Sequence, residues 1–255
     1  MDRSQSSSLI LSLIALGAIN ITPLLQVSAT QSQKEEPTLQ SGVLTEKQKH
    51  HSKLYKEYRS DKKIPETDFD FGMTVGIGFP GGSPGVPPPT LSERITKLTC
   101  DSDAVVVGEV KSKSSQLTED QDFIFTDYEL SVEDVIKNNP SDPVAPHTEI
   151  TVTNPGGRIQ INNRIVEATV LSFPPLVVGK RYLLFLKSTS IAGGYRAVNS
   201  EGRLSLTNDQ VETIPIPNNR INDWNKPKPK NLGQAPSFLA QVREAVASGC
   251  AGKKN

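Results

Sequence analysis

Histidine, cysteine and aromatic residues are scarce in this chain. Three histidines, two cysteines and one tryptophan occur in 255 residues, and aromatic side chains make up 5%. Two of the histidines, His50 and His51, are adjacent, so they cannot both face one ion from a helix. An H-E-x-x-H zinc site is thereby excluded. Cys100 and Cys250 have no histidine nearby in sequence, which leaves no zinc-finger spacing. Excess charge is also missing: 28 Lys and Arg balance 28 Asp and Glu. A dedicated nucleic-acid binder needs a basic face to displace counterions, so no nucleic-acid partner is expected.

Long apolar runs are missing too. Arg3, the apolar run Leu9–Ile19 and the small residues Val27-Ser28-Ala29 follow the order of a secretory signal. A membrane span needs about 20 apolar residues, and Asn20, Pro23 and Gln26 interrupt this run. The expectation is export to a periplasmic or extracellular location, with cleavage between Ala29 and Thr30 and no stable membrane span afterwards. An uncleaved anchor and a plain buried helix are the alternatives. In an oxidising compartment two cysteines are most simply a disulfide. Joining Cys100 to Cys250 would close a loop worth about 5 kcal/mol in the chain-entropy model. Two free, buried thiols are the other reading.

What is present is unevenly distributed. Residues 1–29 read as the signal, and 30–90 as a polar N-terminal region. Residues 91–214 read as a β-barrel domain, 215–235 as a Pro-rich linker, and 236–255 as a C-terminal helix and tail. Within the polar region, Thr45 with Gln48 has the form of a capping box. From Lys47 to Lys63 there are seven Lys or Arg against two acids, which predicts a short, exposed, basic helix. A weak anion- or surface-binding arm is the alternative. Phe69, Phe71, Met73, Val75, Ile77 and Phe79 then alternate with small or acidic residues as a one-faced strand. Such a strand docks on its own barrel, pairs with a partner or stays disordered. Pro, Gly and Ser follow to Thr90.

After a short helix at 92–98, seven or eight strands follow in quick succession. They include 103–110, 123–136 with even positions inward, and "YLLFL" at 182–186, apolar on both parities. Turn signals stand at Asn154-Pro155-Gly156-Gly157 and Asn162-Asn163. With no long helix between them, these strands predict a mainly β fold: a small antiparallel Greek-key, OB-like barrel with a C-terminal helix and disordered Pro/Gly-rich extensions. That helix, 237–247, carries the stripe Phe238, Leu239, Val242 and Val246.

Catalytic chemistry finds little purchase. Gly81-Gly82-Ser83-Pro84-Gly85 matches G-x-S-x-G in form. Pro84 removes the amide that would serve an oxyanion hole, and no helix follows. Only His50, His51 and His147 could act as a base. Glu119, Asp120 and Asp122, or Asp101 with Asp103, could meet a hard cation, but they lack the glycine-turn spacing of a calcium loop. Gly156-Gly157 sits in a turn and is no phosphate cradle. Tyr195 and Trp224 could stack on sugars; packing is the plainer role. No catalytic residue, metal ligand or cofactor is assigned.

"LTCDSDAVVVGEVKS" followed by "TDYELSVEDVIKN" resembles the opening of netrin-like, OB-type barrels, the fold of tissue inhibitors of metalloproteases. "PGGR" and "VGKRYLLFLK" are similar to segments of a group of secreted bacterial proteins. The resemblance covers about Thr99 to Lys187 and implies a five-stranded Greek-key barrel with a terminal helix. In those inhibitors the cysteine is the mature N-terminus and chelates the zinc of the protease. Cys100 here lies well inside the chain, so that route would need a further cut just before it. The function expected is a non-enzymatic binding module whose partner is another extracytoplasmic protein or a glycan. A metalloprotease-inhibitor-like protein, an envelope or matrix component, and a hydrolase with an unrecognised site are the rivals.

Overall fold

The computed structural model describes residues 38–39, 44–55, 72–75, 89–161, 163–170, 172–189, 191, 193–215 and 229–250. All of them belong to the unit Glu36–Asn255. The expected signal with its Ala29–Thr30 cut, the Pro/Gly linker with Ser83, and Trp224 lie outside the described residues.

In chain order the elements are β1 (Thr38–Leu39), α1 (Glu46–Leu54), β2 (Gly72–Val75), α2 (Leu91–Asp101), β3 (Ala104–Leu117) and β4 (Ile124–Lys137). Then come β5 (Glu149–Pro155), β6 (Gly157–Ile161), β7 (Arg164–Val170), β8 (Arg181–Ser188) and β9 (Gly194–Ala197). The described chain closes with β10 (Arg203–Thr207), β11 (Gln210–Thr213), β12 (Asn231–Gln234) and α3 (Ala235–Ala247).

Five strands close a barrel. β3 pairs antiparallel with β4, β4 with β5, and β8 with both β3 and β9. The ring is completed by the parallel pair β5–β9. A three-strand meander closed through one parallel pair is the Greek-key, OB-like barrel that the strand spacing predicts. β10, β11 and β12 extend the sheet outward from the free half of the β8 edge.

The side-chain alternation explains the layers. On β8, Tyr182, Leu184 and Leu186 point into the barrel with Val106, Val110, Leu130 and Val152. Leu183 and Phe185 point outward, where α2 and α3 cover them with Ile95, Leu98, Phe238 and Val242. A strand apolar on both parities is therefore buried on both faces. β3 changes parity at an irregularity between Val110 and Ser112. Beyond it Ser115 faces inward, bonded to Thr126 at 2.8 Å, and Gln116 faces out. Gly108 is required by close approach: a Cβ there would stand 2.6 Å from the Ser131 carbonyl oxygen.

α2 starts at a capping box formed by Thr90 and Glu93, and ends where the Lys137 ammonium donates to the carbonyls of Thr99 (2.7 Å) and Ser102 (2.6 Å). A disulfide joins Cys100 in its last turn to Cys250 just beyond α3, with Cα atoms 5.4 Å apart.

Three sequence expectations meet a definite outcome in the structure. The Pro-rich linker assigned to 215–235 ends early, because Asn231–Gln234 is a strand paired with β11. Thr213 N–H bonds the Lys230 carbonyl there at 3.0 Å, so the β11 edge captures the returning chain. Within the one-faced strand, Gly72–Val75 runs parallel to β7, with Val75 opposite Val170. These residues dock on their own chain, in a four-stranded sheet ordered β1-β6-β7-β2. The basic helix α1 is the third, and it is not an exposed element.

Candidate functional site

The capping box anticipated for α1 is present, with the Thr45 side chain accepting from Gln48 N–H. The expectation of a solvated helical face is overturned, because His51 and Ser52 are fully buried and Tyr55 nearly so. The helix lies across the outer face of β4 and β5, and it docks through polar side chains. Lys47, His51 and Tyr55 stand four residues apart, one above another on a single helix face. Glu129, Asp127 and Phe125 stand two residues apart on the outward face of β4. The two rows meet rung by rung.

On the first rung the Lys47 ammonium reaches Glu129 Oε1 at 3.4 Å and also bonds Thr151 Oγ1, which itself donates to Glu129 Oε2 at 2.9 Å. On the second, His51 Nδ1 sits 2.9 and 3.0 Å from the two Asp127 oxygens, while Gln116 Nε2 donates to Asp127 at 3.2 Å. On the third, the Tyr55 ring stacks on Phe125 with centroids 5.6 Å apart, and its hydroxyl donates to Thr153 Oγ1 at 2.9 Å. Gln48 bonds Gln116 at 3.1 Å, and the Glu119 amide donates to Ser52 Oγ at 2.8 Å. This is the barrel face on which OB folds bind their ligands, and here the chain's own helix fills it.

A carboxylate on Nδ1 with Nε2 otherwise uncommitted is also the base half of a hydrolytic triad. The surroundings argue for a packing role. His51 is 0% exposed, its Nε2 has no hydrogen-bond partner among the described residues, and a Cβ on Gly194 would come within 3.3 Å of it. The hydroxyl near the same glycine, Thr189 Oγ1, donates to the Gly194 carbonyl at 2.9 Å and not to a base.

On the opposite side of the barrel the described residues form a concave surface. A groove of about 660 Å³ runs between α2, α3 and the outer face of β8 and β10–β12. Its floor is apolar: Ile95, Leu98, Phe185, Leu204, Leu232 and Phe238. Leu91 lies at its edge, 37% exposed. Arg94, Glu201 and Lys230 supply charge at the rim, with Arg94 3.9 Å from Glu201. Pockets of this kind, apolar with a few polar groups, are the usual form of a binding site.

One buried cation stands nearby. Arg203 is 1% exposed, and burial pushes its guanidinium down to about 10. Nη1 donates to the Pro174 carbonyl at 2.8 Å, and the guanidinium lies 5.1 Å from the Phe173 ring centroid. With the Asn154 amide turned so that its oxygen faces the arginine, Nη1 also reaches that oxygen at 2.7 Å. Arg203 thus spans from β10 to β5, beyond the stretch where β9 closes the barrel.

The remaining candidates have ordinary roles. His147 is exposed on a turn at φ 63°. Tyr195, a possible sugar platform, is buried in the barrel core and donates to the Asp142 carbonyl at 2.9 Å. Asp101 pairs with Lys97, Asp103 with Lys187 at 2.9 Å, and Asp122 accepts from Thr118 at 3.2 Å. Among the described residues, no group of three or more His, Cys, Asp or Glu is placed to hold a metal. No described helix is long and apolar enough to cross a membrane. No protein-family model matches the chain, and no curated protein is significantly similar to it.

Proposed function

We propose that this protein is an exported, non-enzymatic binding module that captures an extended apolar segment carrying acidic residues. The groove between α2, α3 and the strand extension carries the reading. It joins an apolar floor to a rim with two cations, Arg94 and Lys230, against one acid, Glu201, and a carboxylate beside an apolar body matches that net positive charge. Export rests on the signal-like run Leu9–Ile19 with Val27-Ser28-Ala29, and it agrees with the Cys100–Cys250 bond. Among the described residues α1 covers the outer face of β4 and β5, whereas the groove is concave and apolar.

The inhibitor-like rival fits less well. Cys100 lies inside α2, so a free α-amine at that residue would require cutting the helix that forms one wall of the groove. A peptide selection against the full chain tests the proposal. Enriched sequences should be apolar with Asp or Glu, and should bind about tenfold more weakly when Arg94 and Lys230 are both changed to Glu. Binders indifferent to those changes and to Leu91→Asp would overturn it.

A further inference from the structure

We propose that the outer face of β4 and β5 is a second recognition surface, built for a basic helix, and that α1 is its intramolecular occupant. The partner it fits is another protein's helix presenting Lys, His and an aromatic residue four positions apart. This claim is independent of the groove.

The contacts themselves supply the argument. A helix that belongs permanently to a fold usually buries an apolar stripe, whereas α1 buries His51 and Ser52 and holds Lys47 against Glu129. Only its C-terminal end is apolar, where Tyr55 meets Phe123 and Phe125 and Leu54 packs beside them. The charges are complementary. Across the contact Lys47 faces Glu129 and His51 faces Asp127, while Lys49 and Lys53 stand elsewhere on the helix surface with one acid, Glu46. Carboxylates in the middle of the face repel phosphate and sulfate, so the nucleic acids many OB barrels bind do not match it. The chemistry selects a cation. Two rows of three side chains in register add a specificity that scattered surface charge lacks.

Sixteen residues, 56–71, separate Tyr55 from Gly72 of β2. Covalent linkage makes α1 a competitor in cis, at an effective concentration on the order of millimolar. A free peptide therefore competes with α1 and binds the intact chain weakly.

The test uses the full chain and a fluorescein-labelled synthetic peptide spanning Leu44–Tyr55. In the triple variant Lys47→Ala/His51→Ala/Tyr55→Ala the face is open. The peptide should bind it about ten- to a hundredfold more tightly than it binds the unaltered chain, the factor set by that effective concentration. Adding Asp127→Asn and Glu129→Gln to the open variant should abolish binding. A peptide with Lys47→Glu should fail on the open variant and recover when Glu129→Lys is added. If the triple variant loses the barrel's circular dichroism, the single Lys47→Glu chain carries the same test, since Lys47 is half-exposed; it too should bind the unaltered peptide more tightly than the parent chain does. Equal binding by the open and unaltered chains would overturn the proposal. So would equal binding of heparin to the open face, or concentration-dependent dimers of the unaltered chain, which would make a second copy the occupant.

Discussion

The pair His51–Asp127 offers the sharpest test of how α1 is held. Removing the Asp127 carboxylate leaves a buried imidazole N–H and the Gln116 amide without their acceptor. Each orphaned donor costs about 1–3 kcal/mol, so Asp127→Ala should cost about 2–6 kcal/mol if the helix stays in place. His51→Ala strands the carboxylate in the same way. The helix can instead leave, at which point both groups meet water and the loss stops growing. A cis occupancy of ten- to a hundredfold corresponds to about 1.4–2.7 kcal/mol. Each single variant should therefore lose no more than about 3 kcal/mol in urea unfolding of the full chain, and the double variant should lose the same amount. Amide exchange over 46–54 should rise to the unprotected rate in all three while β3 and β8 stay protected. Additive losses, with the double variant more than about 4 kcal/mol below the parent, would show that α1 is integral to the fold and refute this reasoning.

Three further outcomes follow from packing and charge. Gly108→Ala should destabilise by about 2–4 kcal/mol, because its Cβ meets the Ser131 carbonyl at 2.6 Å on the barrel's longest strand pair; a loss below 0.5 kcal/mol in thermal unfolding would contradict the close approach. Cys250→Ser should cost up to about 5 kcal/mol in the chain-entropy model, and intact mass should rise by two hydrogen atoms on reduction of the parent; alkylation of both thiols without reductant would refute the bond. Burial raises the Asp103 carboxyl, but the Lys187 ammonium and the Ser188 amide outweigh it and leave it below the ordinary carboxylate range. A depressed acid stabilises the fold above the unfolded value of about 4 and loses that contribution as pH falls through the folded one. Asp103→Asn should thus cost a constant amount, under about 1 kcal/mol given its solvent contact, above pH of about 5. The difference should vanish in stronger acid; a difference that grows on acidification would contradict the pairing.

The barrel was legible because its strands obey simple alternation. β8 is apolar on both parities and lies covered on both faces, and the even positions of β4 from Tyr128 to Val132 point inward. Near the turn signal at Asn163, β6 and β7 pair antiparallel with Ile161 opposite Arg164 and Asn163 at φ 63°. What periodicity could not reveal was the docking of α1. Helical pattern reading looks for an apolar stripe, and this helix binds through Lys47, His51 and Tyr55 to residues up to about a hundred positions away. A four-residue repeat of Lys, His and Tyr was the available signal, meaningless without its partner row on β4. The parity change in β3 hid Gln116 in the same way, since an irregularity in pairing leaves no mark on composition. The groove was invisible for a different reason: its walls come from α2, β8, β10–β12 and α3, elements widely separated in sequence.

The central claim is that the groove is the binding surface of an exported module. Its most direct test is to map a selected apolar, acidic peptide on the folded full chain by amide chemical shifts. The account predicts perturbations confined to 91–98, 203–204, 230–232 and the start of α3, abolished by Arg94→Glu with Lys230→Glu. Perturbations centred on 124–130 and 149–153, surviving those substitutions, would contradict it.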